Sequence, residues 1–287
     1  MSSFLEKHKR QPKIFIDLPS NGQFYDESVI QDQQYTQLPV FGMNTMDEIM
    51  LKTPDALFSG ESTAKIIQSC IPLIKDPWRI VGFDLDYILL AIRMATYGNS
   101  MPITTQCPKC NEETGSDVQL QVMMDKIDGG ILTNKVDIKG LTFHLQPLTY
   151  KVSTEFSKKH FTLQKQLTHI EATSLIESEK QVQRQEVIDQ LSQLNIDLSI
   201  AHVANITKGD ESESDPAAIR SFVADNDAEV YAQLKDGVTE MNVMWNKEIL
   251  DIKCGNEECG HEYKSELNVD YSSFFGTRSL RSRNLNY

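Results

Sequence analysis

The sequence predicts an α+β fold: a small β base closed by four cysteines, with helices ahead of it and a helical insertion between the two cysteine pairs. Three observations carry this. Cys107/Cys110 and Cys254/Cys259 form two close pairs, each beside segments that alternate apolar and polar residues as strands do. Ahead of the first pair, Tyr87, Ile88, Leu90, Ala91, Met94 and Ala95 recur at helical spacing. Between the pairs runs a long polar stretch with only a narrow apolar stripe, the pattern of partly exposed helices. The expected organisation is an extended arm over 1–44, a helical segment over 45–100, a β domain made of 101–147 and 238–270, a helical insertion over 148–237 and a tail over 271–287.

Along the chain, Ile14-Phe15-Ile16 is β-prone, and Leu18-Pro19-Ser20-Asn21-Gly22 supplies turn residues before Phe24-Tyr25. Such an arm packs on its own domain or reaches a neighbour. Thr45 with Glu48 reads as a capping box for a helix that carries Ile49, Met50 and Leu51 and stops by Pro54. A second helix runs from about Gly60 to Cys70, with Ala64, Ile67 and Ile71 on one face and Cys70 in the core. The strongest helix of this half covers 84–97, with Asp84 as its N-cap and Gly98-Asn99 as its stop. Val118-Leu120-Val122 alternates like a strand leaving the first cysteine pair, and Val136-Ile138 and Leu141-Phe143-Leu145 form a hairpin about Lys139-Gly140. Residues 148–207 read as helical, with Val182, Val187, Ile188, Leu191 and Leu194 as the stripe. Residues 208–216 read as an acidic loop ending in Asp215-Pro216, a helix start. Ile219, Phe222, Val223, Val230 and Leu234 continue helical, and Ile249, Leu250 and Ile252 approach the second pair as a strand.

Cys107-Pro108-Lys109-Cys110 has the two-residue gap that lets two thiolates face one metal from a tight turn, and Cys254 to Cys259 has a four-residue gap within the same range. Asn111 and Gly260 follow the pairs where the backbone turns left-handed, which both tolerate. Four thiolates complete a tetrahedral shell, so Cys107, Cys110, Cys254 and Cys259 are the expected ligands of one structural zinc ion in a zinc-ribbon-like base. His261, two residues past Cys259, is the alternative fourth ligand. Metal binding in such sites is folding free energy, on the order of 10–16 kcal/mol apparent for small zinc modules.

Composition narrows the function. The 41 acidic residues against 28 basic ones give a formal charge of −13, which opposes broad contact with nucleic-acid phosphates. No apolar run reaches membrane-span length, and Met1 to Lys13 is polar, so a protein cytosolic when made is expected. There is no Gly-rich phosphate loop, no nucleophile elbow and no paired-histidine helix, so no catalytic role is expected. His144 reads as a structural strand histidine; His160 and His169 read as surface residues. The aromatics Phe15, Phe24 and Tyr25 at one end, and Phe274, Phe275 and Tyr287 with Arg278, Arg281 and Arg283 at the other, are the expected anchors for partners.

Three phrases stand out together: Leu18-Pro19-Ser20-Asn21-Gly22-Gln23-Phe24-Tyr25; Leu38-Pro39-Val40-Phe41-Gly42-Met43 running into Asp47-Glu48-Ile49-Met50-Leu51-Lys52-Thr53-Pro54-Asp55-Ala56-Leu57 and Gly60-Glu61; and Asp84-Leu85-Asp86 leading through Ala91-Ile92-Arg93 and Ala95-Thr96-Tyr97-Gly98 to Cys107-Pro108-Lys109-Cys110. The chain in this respect resembles the baseplate proteins of contractile-tailed bacteriophages of the T-even type, in particular their hub and hub-assembly proteins. The resemblance is densest over 14–150 and weaker beyond. It implies a non-enzymatic part in tail building, held by contacts with other phage baseplate or tail proteins, in the host cytoplasm during assembly or in the virion baseplate. It leaves open whether the chain is a resident subunit or an assembly factor. The rival reading is a zinc-ribbon protein that binds nucleic acid, favoured only by the arginines of the tail.

Overall fold

The structure is a computed structural model, and it describes residues 9–51, 59–127, 134–173, 176–243, 249–266, 280–281 and 283–284. The chain divides into two compact units, Met1–Gly130 with Asn246–Tyr287, and Ile131–Trp245. Helices and small sheets alternate in the α+β manner.

In the first unit the arm packs on its own unit. Strand β1 (Ile14–Ile16) pairs antiparallel with β2 (Leu38–Val40). Between them the Leu18–Tyr25 phrase makes a tight turn, with Asn21 and Gly22 both at positive φ (49° and 77°). Only glycine fits position 22, because a Cβ there would lie 2.2 Å from the Tyr35 ring. Helix α1 (Thr45–Met50) does start with a capping box, but one residue earlier than expected. Asn44 Oδ1 accepts from the N–H groups of Met46 and Asp47, and Asp47 returns a carboxylate to the Asn44 N–H. Helix α2 (Glu61–Cys70) buries Ala64, Ile66, Ile67 and Cys70, and Pro54 of the expected stop lies outside the described residues.

Helix α3 (Gly82–Tyr97) corrects the reading of Asp84, which is not its N-cap; Val81 holds that place. Asp84 is fully buried in the first turn and accepts from the Ser20 N–H (3.0 Å) and the Tyr25 hydroxyl (2.6 Å). The Tyr25 hydroxyl in turn accepts from the Val81 N–H at 3.1 Å. Two of the phrases that looked distinctive are thus the two halves of one buried latch. Burial pushes the Asp84 carboxyl up to about 6 against its hydrogen bonds from Ser20 and Tyr25, and the Tyr25 hydroxyl is pushed well above its ordinary value by burial and the adjacent carboxylate. Tyr25 is therefore buried and Phe24 packs edge-on against Phe83. Neither is the free anchor expected; Phe15 is 56 % exposed.

Strand β3 (Ser100–Gln106) pairs antiparallel with β4 (Glu113–Gln119) over its whole length. The alternation then ends, and Leu120–Lys126 is helix α4, not more strand. Asn99 decides this: its carbonyl accepts from the Leu120 N–H (2.8 Å) and its side chain from the Gln121 N–H (2.7 Å). Leu120, Met123 and Met124 are then buried at helical spacing.

In the second unit β5 (Lys135–Ile138) and β6 (Leu141–Leu145) form the expected hairpin, with Lys139 and Gly140 both at positive φ. These residues, grouped above with the cysteine segments, join a four-stranded antiparallel sheet with β7 (Val203–Lys208) and β8 (Glu211–Glu213) in the order β5-β6-β7-β8. Helix α5 (Tyr150–Ala172) and helix α6 (Glu177–Ala201) pack along one another between β6 and β7. Residues 203–207 are strand, not helix, and the acidic loop is reduced to a turn at Gly209-Asp210. Asp215 caps helix α7 (Pro216–Asp225) through the Ala217 N–H, as Asp-Pro predicts. Helix α8 (Ala228–Val243) follows.

The second cysteine hairpin is β9 (Ile249–Lys253) with β10 (Glu262–Glu266) in the first unit. Two short tail strands add to these hairpins: β11 (Leu280–Arg281) runs parallel to β3 and β12 (Arg283–Asn284) antiparallel to β10. The tail was expected to be free for partners; its backbone at 280–281 and 283–284 is instead paired at home. Phe274, Phe275, Arg278 and Tyr287 lie outside the described residues.

Candidate metal centre

Each cysteine pair sits in the connection at the tip of a β-hairpin. In the first, the Cys107 N–H donates to the Glu112 carbonyl (3.0 Å) and the Asn111 N–H to the Cys107 carbonyl (2.9 Å), with Asn111 left-handed at φ 58°. In the second, the Cys254 N–H donates to the His261 carbonyl (2.8 Å), and the N–H groups of Cys259 and Gly260 both reach the Asn256 carbonyl at 3.0 Å. Gly260 has φ 53°. Both turns curl the chain so that two sulfurs point one way, as the local spacing predicts.

The four sulfurs meet. Cys107, Cys110, Cys254 and Cys259 place their Sγ atoms all within 4.8 Å of one another. The Cys107–Cys259 separation is 3.9 Å and the Cys110–Cys254 separation 3.5 Å, both across the hairpins and both far beyond a disulfide bond of about 2.05 Å. Cys107 and Cys254 are buried; the other two are more open to solvent. Burial opposes ionisation of Cys107, but the N–H groups of Cys110 and Lys109 and the neighbouring thiols outweigh it and bring that thiol down to about 7. Four sulfurs at this spacing are compatible with a metal held by thiolates alone.

Side chains that sequence reading did not single out lock the two hairpins together. Thr114 Oγ1 accepts from the Gly255 N–H at 3.0 Å and lies 4.0 Å from Cys254 Sγ. Thr105 Oγ1 and the Tyr263 hydroxyl are 2.6 Å apart. All three residues are buried. They lie on three different strands, so no local pattern in the sequence marks them.

The remaining candidates fall elsewhere. The His261 ring is not among the clustered ligands; it stacks on Tyr263 with ring centres 6.1 Å apart. Cys70 is fully buried in α2, and burial pushes its thiol up to about 12. His144 Nε2 meets Thr207 Oγ1 at 3.0 Å across the sheet, the structural role expected of it. His202 is buried with Nδ1 2.9 Å from the Gln146 carbonyl, and burial lowers its pKa. His160 and His169 are exposed on α5. Among the described residues no helix is long and apolar enough to cross a membrane.

Against known proteins, a family model described as T4 bacteriophage base plate protein matches residues 13–276, taking in both units and all four clustered cysteines. No curated protein and no solved structure matches the chain.

Proposed function

The chain belongs to the family of T4 bacteriophage base plate proteins, and on that premise we propose that it is a non-enzymatic hub subunit or hub-assembly factor built around a structural zinc site. The observation that carries the reading is that the family match and the four-sulfur cluster fall on the same residues. Zinc suits the donor set: four thiolates at about 2.3 Å define a tetrahedron with sulfur–sulfur edges of about 3.8 Å. The separations of 3.5 and 3.9 Å bracket that edge. Cys107, Cys110, Cys254 and Cys259 would hold the ion, and a shell of four protein ligands leaves no position for water or substrate. The ion's contribution is then to stability, joining two segments far apart in the sequence.

Its partners on this reading are other phage baseplate or tail proteins, met in the host cytoplasm during assembly and retained in the tail if the chain is a resident subunit. The net charge of −13 favours docking on proteins over binding nucleic acid. Affinity capture of the tagged chain from infected cells, followed by gradient separation of virions, tails and free protein, tests the assignment. Co-sedimentation with baseplate or tail intermediates is expected. Absence from every tail fraction together with salt-sensitive binding to duplex DNA would replace it with the nucleic-acid reading.

A further inference from the structure

We propose that the two cysteine hairpins form a slot for one extended strand, that residues 280–284 of the chain itself fill it, and that metal and tail strengthen each other's hold because both clasp the same two hairpins. The proposal rests on the zinc reading above and extends it to the end of the chain.

From the tips of the hairpins inward, the contacts between them come in a definite order. The four sulfurs gather at the tips. Next comes the Thr105 Oγ1 to Tyr263 hydroxyl contact at 2.6 Å, between β3 and β10. The tail pairings follow: Leu280 opposite Ile103 and Arg281 opposite Thr104 on β3, then Arg283 opposite Glu266 and Asn284 opposite Ser265 on β10. Thr104 lies about 10 Å along its strand from Cys107. Strands β3 and β10 belong to different sheets, ordered β11-β3-β4 and β12-β10-β9, and are not paired with each other. The tail supplies that join, since β12 also lies beside β3. The directions agree: β3 runs towards Cys107 and β11 is parallel to it, whereas β10 runs away from Cys259 and β12 is antiparallel to it. On both counts the tail heads for the metal end, as one strand laid between two hairpins must.

Each tail pairing is only two residues long, too short to hold a strand by itself. Fixing the backbone of 280–284 and closing the stretch 267–279 that leads to it cost conformational entropy that one such pairing does not offset. Both pairings form together only while β3 and β10 are held at the right spacing. Zinc fixes that spacing, with two ligands from each hairpin on one ion. Without it the task falls to neutral hydrogen bonds such as Thr105–Tyr263, each worth far less than the ion. Such coupling is reciprocal: the factor by which the tail raises zinc affinity is the factor by which zinc favours the docked tail.

Two measurements test this. Zinc content by mass spectrometry and zinc affinity by competition with a chromophoric chelator are compared for the full chain and a chain ending at Ser279. Hydrogen exchange of the wild-type amides at 280–284 is followed with zinc bound and after its removal by chelator. Truncation is expected to leave one equivalent bound but to weaken its affinity about tenfold, and zinc removal to lower tail protection by a similar factor. Amides of α3 in the same spectra show whether the rest of the unit stays folded without zinc; if it does not, the affinity comparison decides. Should the truncated chain fail to fold, Arg281→Pro with Arg283→Pro, which removes two backbone N–H groups from the tail strands, replaces it. Equal zinc affinity with and without the tail, or tail amides protected alike with and without zinc, would overturn the clasp and leave the zinc reading standing. A full chain that binds no zinc would overturn both.

Discussion

Replacing Asp84 with asparagine tests the buried latch between the arm and α3, and the outcome depends on pH in a definite direction. The carboxyl titrates at about 6 in the folded chain against a usual 3.8, with burial as the main cause. Between those values the folded state binds more protons than the unfolded one, so the contribution of Asp84 to stability falls as pH rises through this window. The full penalty, reached about one pH unit above 6, is about 3 kcal/mol, the free-energy equivalent of titrating at about 6 and not 3.8. Asparagine keeps an acceptor for the Ser20 N–H but offers N–H groups where the Tyr25 hydroxyl needs an acceptor, so it costs stability at low pH. It carries no charge, however, so its stability relative to the wild type should improve by about 2 kcal/mol between pH 4.5 and 7. Urea unfolding of both proteins at a series of pH values measures that difference, in which titrations common to both cancel. A difference that stays flat across this range, or shrinks as pH rises, would refute a buried carboxyl held near 6.

Gly22→Ala is expected to destabilise the chain by more than about 2 kcal/mol, since it combines a strained positive φ with a clash against the Tyr35 ring; chemical denaturation reads it. Thr114→Val removes the acceptor of the Gly255 N–H and should lower metal affinity roughly tenfold or more while leaving all four thiols in place; competition with a chromophoric chelator measures it, and unchanged affinity would show that the two hairpins do not depend on that bond.

What could be read in the sequence was what neighbouring residues decide. The two cysteine turns, the Lys139-Gly140 hairpin, the Asp215-Pro216 helix start and the Gly98 stop all depend on residues a few positions apart, and the structure has them where the spacing puts them. What escaped depended on partners far along the chain. Asp84 looks like a cap until Ser20 and Tyr25 fold onto it, from 64 and 59 residues away. Leu120 looks like strand until Asn99 caps it as helix. On α6 the apolar stripe was read too broadly: Val182 and Ile188 are exposed, whereas the charged residues Lys180 and Arg184 are half-buried. At the candidate metal centre the four cysteines that cluster were legible from their spacing, but Thr105, Thr114 and Tyr263 were not, because hydrogen bonds between two hairpins leave no local pattern.

The central claim is that one zinc ion joins the two hairpins through four sulfurs, and metal analysis of the purified full chain by mass spectrometry tests it most directly. The account predicts about one equivalent of zinc per chain, lost together with thermal stability in Cys107→Ser and in Cys254→Ser. Metal-free protein with four freely titrating thiols at these positions, melting as the serine variants do, would contradict it.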